Sequence, residues 1–531
     1  MAVIQSPFLR LFAVLVTMPA LFDQLLFPDV SGALAAPFDS PNNTTLPGVQ
    51  EPSFDVYLSP SAGIQLPLAP RDADDSDVLA ENPWMHLQQH INHAKRRHAQ
   101  INDLPVPTDD ELRTAMLKRR SWVEKEWLPL QRRDAADAKA DDSSSLSSYL
   151  ARSSDKMIGM VRRTSSGSNQ LEARGNGYPS SEAKAAQQHS TTNAGNPSMS
   201  HTSGLSIEAN DVGYFVQVQI GSNNAKFTML VDSGSADTWV TGSNCNGCGG
   251  SNRNKLGSSN SKSLNIQNDQ FKISYGTGSV TLNKATDSIT IAGMKLDNYN
   301  LGVTTKESSQ FGGSKIPFDG LMGLGGSSLS TTGEKTPIDA LYDSNKVDQP
   351  IVGYRLGRVA DGNNKGQITF GAVDGSQVSG SLHELDNQSK NGYWEVKLDN
   401  VKVGSKSISG SSSSATLDTG TSLIVAPQEQ ADAIHDAIDG AKSDGQGGYT
   451  LPCTTNQQLS FTFSGHTYTM DSRDLLFSPS DANNLQGTCV SAVSAGDNGG
   501  NGGWLLGAAF LKNVYFATNS KTNQIGIGKL N

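Results

Sequence analysis

Val231-Asp232-Ser233-Gly234-Ser235 decides the fold, because the pattern returns as Leu417-Asp418-Thr419-Gly420-Thr421, an interval of 186 positions from 232 to 418. An apolar residue, an aspartate, a hydroxyl residue, a glycine and a second hydroxyl residue make a tight turn that can present a carboxylate at the end of a strand. Glycine lets backbone approach the opposing carboxylate, and the hydroxyls supply donors that orient it. If the two turns face each other, their acids share one proton, since two like charges a few ångströms apart cannot both ionise cheaply.

The companions of the turns come in a fixed order. Trp239 lies 7 after Asp232, Tyr275-Gly276-Thr277-Gly278 begins 43 after it, and Phe318-Asp319-Gly320-Leu321-Met322-Gly323 follows. Trp504-Leu505-Leu506-Gly507 closes the second half. With these companions the chain resembles the pepsin-like aspartic endopeptidases, among them the secreted fungal enzymes. A lone Asp-Thr-Gly is weak, because aspartate and glycine are common in ordinary turns. Two copies with the whole ordered set are specific. From Asp232 to Gly323 is 91 residues and from Asp418 to Gly507 is 89, which suggests a duplicated lobe without appeal to any family. The expected fold is dominated by β-structure: two related β-rich lobes with a few short helices, and one carboxylate from each at the site between them.

What the resemblance implies for the site is specific to residues. Asp232 and Asp418 are the catalytic pair, sharing a proton as a family property. Ser235 and Thr421 orient the outer carboxylate oxygens, while Ser233 and Thr419 bind across to the other lobe, with Gly234 and Gly420 completing the turns. Tyr275, Gly276 and Thr277 form the tip of a hairpin lid, and the Tyr275 hydroxyl bonds the Trp239 indole; the alternative is that both rings are plain core. Large apolar side chains are favoured on both sides of the cut, with Leu230 and Phe311 as candidates to line the cleft. No cofactor and no metal are required. One departure stands out: Ala508 follows Gly507 where the family often carries aspartate.

Composition bounds the rest. A length of 531 residues allows three or four domains, and 53 glycines with only 18% charged residues favour a turn-rich β protein. A net charge of −10 with no basic stripe in the second half argues against a nucleic-acid partner. The charge is uneven: residues 205 to 531 carry 23 Lys and Arg against 29 Asp and Glu, whereas residues 82 to 133 carry 10 against 6. We find no Gly-x-Ser-x-Gly and no His-Glu-x-x-His, and two acids flanked by glycine and hydroxyls make a poor hard-cation cage. A binding module of the same fold without catalysis would be expected to lack one of the aspartates.

Along the chain, residues 1 to 35 read as a signal peptide, with the apolar run Leu11 to Phe22 and a cleavage signature at Ala33-Leu34-Ala35; an uncleaved anchor is the alternative. Residues 36 to 204 read as propeptide and linker. Within them, 82 to 133 set His86, His90, His93 and His98 among Lys95-Arg96-Arg97 and Lys118-Arg119-Arg120, with Leu87, Ile91 and Ala94 at helical spacing. A solvated basic helix is the plain interpretation. The resemblance implies an inhibitory prosegment, whose cations lie across the acidic cleft and loosen as acid neutralises the carboxylates and charges the histidines. No single cation can be picked out as the one that contacts the pair.

Residues 134 to 204 are rich in Ser, Ala, Asn and Gly, and are preceded by Arg132-Arg133. With Arg162-Arg163 and Arg174 inside, they read as a linker where maturation cuts, after Arg163 or later. Residues 205 to 390 and 391 to 531 are the expected lobes. Strands are expected over Tyr214 to Gly221 and Lys226 to Val231, and a hairpin over Phe271 to Leu282. Helices are expected from Pro337, and from Pro427 through Ile438, with a loop over Ser409 to Ser414.

The four cysteines make two local pairs, Cys245 with Cys248 and Cys453 with Cys489, and two disulfides are the simplest account given a secretory start. Cys245-Asn246-Gly247-Cys248 also has the form of a redox or half-zinc motif. The larger loop resembles the family's second-lobe bridge and, closing roughly 35 residues, contributes on the order of 3–4 kcal/mol under the chain-entropy model. Glycosylation acceptors occur at Asn42, Asn43 and Asn387. The expected product is a monomer that acts on proteins or peptides, is inhibited by its own propeptide, has no stable membrane anchor, and is secreted, with the vacuole as the other destination.

Overall fold

The computed structural model describes residues 82–101, 105–128, 177–249, 253–275, 278–312, 316–496 and 503–531. The signal peptide, the acceptors at Asn42 and Asn43, the basic sites from Arg132 to Arg174, and Gly276 and Thr277 of the lid tip lie outside the described residues.

Alternation of apolar and polar residues builds the strands. In Gly213–Ile220, Val216, Val218 and Ile220 are buried while Gln217 and Gln219 face out. This strand pairs antiparallel with Ala225–Asp232, inside a nine-stranded sheet that also holds the long hairpin Asn265–Ser274 with Ser279–Ile291. The second half has a five-stranded sheet and two four-stranded sheets, and a six-stranded sheet joins elements of both halves.

The duplication is visible in the register. Gly320–Gly323 runs parallel to Ala225–Asp232, with Gly323 opposite Asp232, and antiparallel to Trp239–Asn246. In the second half Trp504–Leu506 runs parallel to Ser413–Leu417, with Leu506 opposite Leu417, and antiparallel to Ile424–Pro427. Each aspartate therefore leaves a strand locked against the apolar-apolar-glycine strand of its own half. The fold is the expected β-rich arrangement of two related halves with few helices.

Three details differ from expectation. The body's packed structure already includes Tyr178, upstream of the expected start near 205. Tyr178 is buried, and its hydroxyl donates to the Phe477 carbonyl at 3.1 Å. A helix, Ser180–Gln188, buries Ala183, Ala185 and Ala186, and Thr202–Gly204 pairs with Gln367–Phe370. Small residues that read as linker are here what allows close helix packing. The helix after Pro427 is Gln428–His435, so Ile438 is buried in the turn beyond it. The strand Ser413–Leu417 begins within the expected loop.

The leader region forms a helical hairpin of α1 (Pro83–Ile101) and α2 (Asp109–Trp122). Thr108 caps α2 reciprocally with Glu111. Trp84, Leu87 and Ile91 of α1 are buried in the same apolar cluster as the core of the body, so α1 is docked along its apolar stripe. Among the described residues no helix is long and apolar enough to cross a membrane. Both cysteine pairs are disulfide-bonded.

Candidate active site

The two turns meet through their hydroxyls. The Ser233 N–H donates to Thr419 Oγ1 at 2.9 Å, and the Thr419 N–H donates to Ser233 Oγ at 3.0 Å. Thr419 Oγ1 in turn donates to the Val231 carbonyl at 3.0 Å, and Ser233 Oγ to that of Leu417 at 3.4 Å. Each hydroxyl accepts from one backbone group and donates to another across the junction, so no buried polar atom of this set is left unpaired.

This lattice places the carboxylates, both buried. Asp232 accepts from the Gly234 N–H at 2.9 Å and from Ser235 Oγ at 2.5 Å. Asp418 accepts from the Gly420 N–H at 2.9 Å and from Thr421 Oγ1 at 2.7 Å. A Cβ on Gly234 would lie 2.7 Å from Asp418 Oδ1, and one on Gly420 would strike Asp232 Oδ1, so each turn needs glycine where the opposing acid approaches.

A cation lies between the acids. Arg97 of α1 donates from Nη2 to Asp232 Oδ1 at 2.5 Å and from Nε to Asp418 Oδ2 at 3.2 Å, with its own side chain 4% exposed. Burial and the Asp418 charge push Asp232 up to about 6, against the pull of Arg97. Burial also disfavours the Asp418 charge, but Arg97 and the Thr421 hydroxyl outweigh it and hold that carboxyl down to about 2. The symmetric pattern therefore carries an asymmetric pair.

Around Arg97, α1 presents one face at spacings of three and four residues. His90 and His93 are half-buried, and both are lowered to about 4 by desolvation first, with His93 acting on His90 and Arg97 on His93. Acid charges the histidines, then, only well below their ordinary range while they remain docked. Ala94 and Ile101 pack against Tyr393, Val425 and Leu505, which form an apolar wall on the second half.

On the first half, Trp239 Nε1 donates to the Tyr275 hydroxyl at 2.8 Å. Phe311 stands edge-on to both rings, 5.3 Å from Tyr275 and 5.7 Å from Trp239, and half-buried Leu230 packs on the same cluster. Arg96 Nη1 approaches the Tyr275 carbonyl at 3.5 Å, so α1 passes close to the hairpin at Tyr275. Ala508 is buried, its N–H on the Thr421 carbonyl at 2.7 Å. Asn387, an expected glycan acceptor, already spends its amide hydrogens on the Tyr393 carbonyl at 2.8 Å and Asn523 Oδ1 at 3.0 Å.

Sequence reasoning did not single out Arg97, the Tyr393–Val425–Leu505 wall, or a second leader anchor at Arg119. A signal for Arg97 existed: it lies at i+3 from Ala94 and i+4 from His93, on a face otherwise closed by Ile101.

Two β-rich halves that each deliver one carboxylate, joined by reciprocal hydroxyl bonds and covered by a hairpin from one half, define a scaffold for paired-acid chemistry. The chain belongs to the eukaryotic aspartyl protease family, whose model matches residues 213–530. It is 31% identical over 334 residues to the probable aspartic-type endopeptidase CTSD of Arthroderma benhamiae, covering 62% of this chain and 64% of that relative. It is 31% identical over 329 residues to rhizopuspepsin-4 of Rhizopus niveus, covering 61% of this chain and 79% of that relative. The match thus spans just under two thirds of the Arthroderma protein's length.

Proposed function

We propose that this chain is the zymogen of an aspartic endopeptidase, inhibited by its own leader and active in acid. The observation that carries this reading is the Arg97 guanidinium seated on both acids, where a reacting water would lie in the freed enzyme. With the leader gone, Asp232 and Asp418 hold one water and one proton. The ionised member takes a proton from the water as it attacks a peptide carbonyl. The protonated member hydrogen-bonds that carbonyl and later protonates the leaving nitrogen. The Tyr275 hairpin closes over the substrate and excludes bulk water. Leu230 and Phe311 on one side, and Tyr393, Val425 and Leu505 on the other, favour large apolar side chains around the cut.

Acid release follows from the sign of the shifts. His90 and His93 are neutral when docked and titrate near 6.5 when free, so docking loses stability as pH falls from about 6.5 to about 4. Asp418 is depressed when docked, so its contribution holds at neutral pH and is lost as pH falls toward about 2. Cleavage then falls after Arg163 or later, ahead of the buried Tyr178. Secretion with signal-peptide removal and a monomeric product complete the proposal, and the vacuole is the alternative destination.

The test is to secrete the chain, incubate it in acid, sequence the new N-terminus and assay a denatured protein substrate. A processed enzyme starting after Arg163, inhibited by a statine-type compound, is expected, and a start before residue 134 would refute the placement of the cut. Undiminished cleavage by a folded, processed Asp418→Asn variant would refute the mechanism.

A further inference from the structure

We propose that the loop Asp444-Gly445-Gln446-Gly447-Gly448 is a second binding site that, once the leader departs, takes an arginine side chain of a protein substrate a few residues from the cut. This inference rests on the protease reading above. At present the loop holds Arg119 of α2, whose side chain is fully buried. Arg119 Nη1 donates to Asp444 Oδ2, Nη2 to the Gln446 carbonyl at 3.3 Å, and Nε to Gln88 Oε1 at 3.0 Å. Its guanidinium carbon lies 5.6 Å and 5.8 Å from the ring centroids of Trp84 and Trp122.

The partners separate into two groups. Gln88, Trp84 and Trp122 belong to the leader and leave with it. The carboxylate and the Gln446 carbonyl belong to the body and stay. The loop also orients the acid without help: Asp444 Oδ1 accepts the N–H groups of Gln446 at 2.6 Å and Gly448 at 3.0 Å, and the Asp444 N–H donates to the Gly448 carbonyl at 3.0 Å. A Cβ at Gly448 would collide with Asp444 Oδ2 and lie 2.8 Å from Leu87 of the leader, so this glycine keeps the face open. What remains is an oriented carboxylate oxygen beside a carbonyl acceptor, a geometry suited to the guanidinium fork more than to a lysine ammonium.

Its position relates it to the chemistry. Arg97 marks the acids and Gln88, nine residues earlier on α1, touches the guanidinium held by the loop. Nine helical residues rise roughly 14 Å, which an extended peptide covers in about four residues. A substrate lying along the track of α1 would reach both sites at once.

The experiment uses the processed wild-type enzyme at the upper end of its active pH range. An uncharged apolar peptide is compared with versions carrying arginine, or its neutral isostere citrulline, at increasing spacings on either side of the cut. Arginine at one spacing near four residues is expected to lower KM about tenfold with kcat unchanged, an effect absent with citrulline and absent in Asp444→Asn. Equal KM for arginine and citrulline at every spacing overturns the site, and that arm needs no variant to fold. Failure to cleave the uncharged parent instead overturns the protease reading beneath it.

Discussion

The two aspartate turns are copies in backbone grammar and differ in what surrounds them. Asp232 accepts from the Ser235 hydroxyl, and a long hairpin from its own half carries Tyr275, bonded to Trp239. Asp418 accepts from the Thr421 hydroxyl, and its half supplies the wall of Tyr393, Val425 and Leu505 against which Ala94 and Ile101 of α1 pack. Arg97 contacts both, yet one carboxyl is raised and the other lowered. Duplication thus supplies a symmetric frame, and with Arg97 seated on both acids, burial and its charge act on them unequally.

The most severe way to break the comparison is to neutralise one acid. Asp418→Asn in the processed enzyme is expected to lower kcat by at least about 10³-fold with little change in thermal stability, read by peptide hydrolysis and calorimetry. Asp232→Asn should do the same. A large inequality between the two would show that only one acid is essential.

Next is the cation that bridges the halves. Removing one partner of a buried, hydrogen-bonded charge set costs about 3–5 kcal/mol, so Arg97→Ala should make the leader dissociate at least about 100-fold faster. Immunoblots of the secreted chain should then show processing at a pH where the wild type remains intact. Persistence of the unprocessed form would place the inhibition elsewhere on α1 or at Arg119.

Smaller effects sharpen the contrast between turns. Thr421→Ala removes a hydroxyl that holds Asp418 low, so the acidic limb of the kcat/KM profile should move up by about one pH unit. Ser235→Ala should leave that limb in place. A shift with Ser235→Ala alone would show that Asp232, and not Asp418, sets that limb. Tyr275→Phe removes the hydroxyl that receives the Trp239 N–H, leaving a buried donor unpaired at about 1–3 kcal/mol, and should lower kcat/KM about tenfold while the Asp418 limb stays unchanged.

Much of the site was legible because its logic is local. The two pentapeptides, the tyrosine 43 residues after the first and the glycine-terminated strands near 90 are short patterns whose chemistry follows from residue type and spacing. The leader was legible as a basic helical segment, but its working residue was not. Ten lysines and arginines lie between 82 and 133, and the choice of Arg97 depends on how α1 is rotated when Leu87, Ile91 and Ala94 bury themselves. Residues 177–204 misread as linker for a related reason. Their serines, alanines and glycines have little apolar signal, and only the partners they meet, Phe477 for Tyr178 and Gln367–Phe370 for Thr202–Gly204, turn them into structure.

By itself, then, the amino-acid order determined that this chain is a doubled β-rich protein with one acid per half and a cationic segment ahead of them, because turns and strands are specified by neighbours a few residues apart. Only the tertiary structure decided that Arg97 bridges the acids, that Arg119 lies on Asp444, and that the two carboxyls are unequal. Each of those facts joins groups more than 100 residues apart, or depends on burial and charge summed over such groups, and no local pattern encodes that distance.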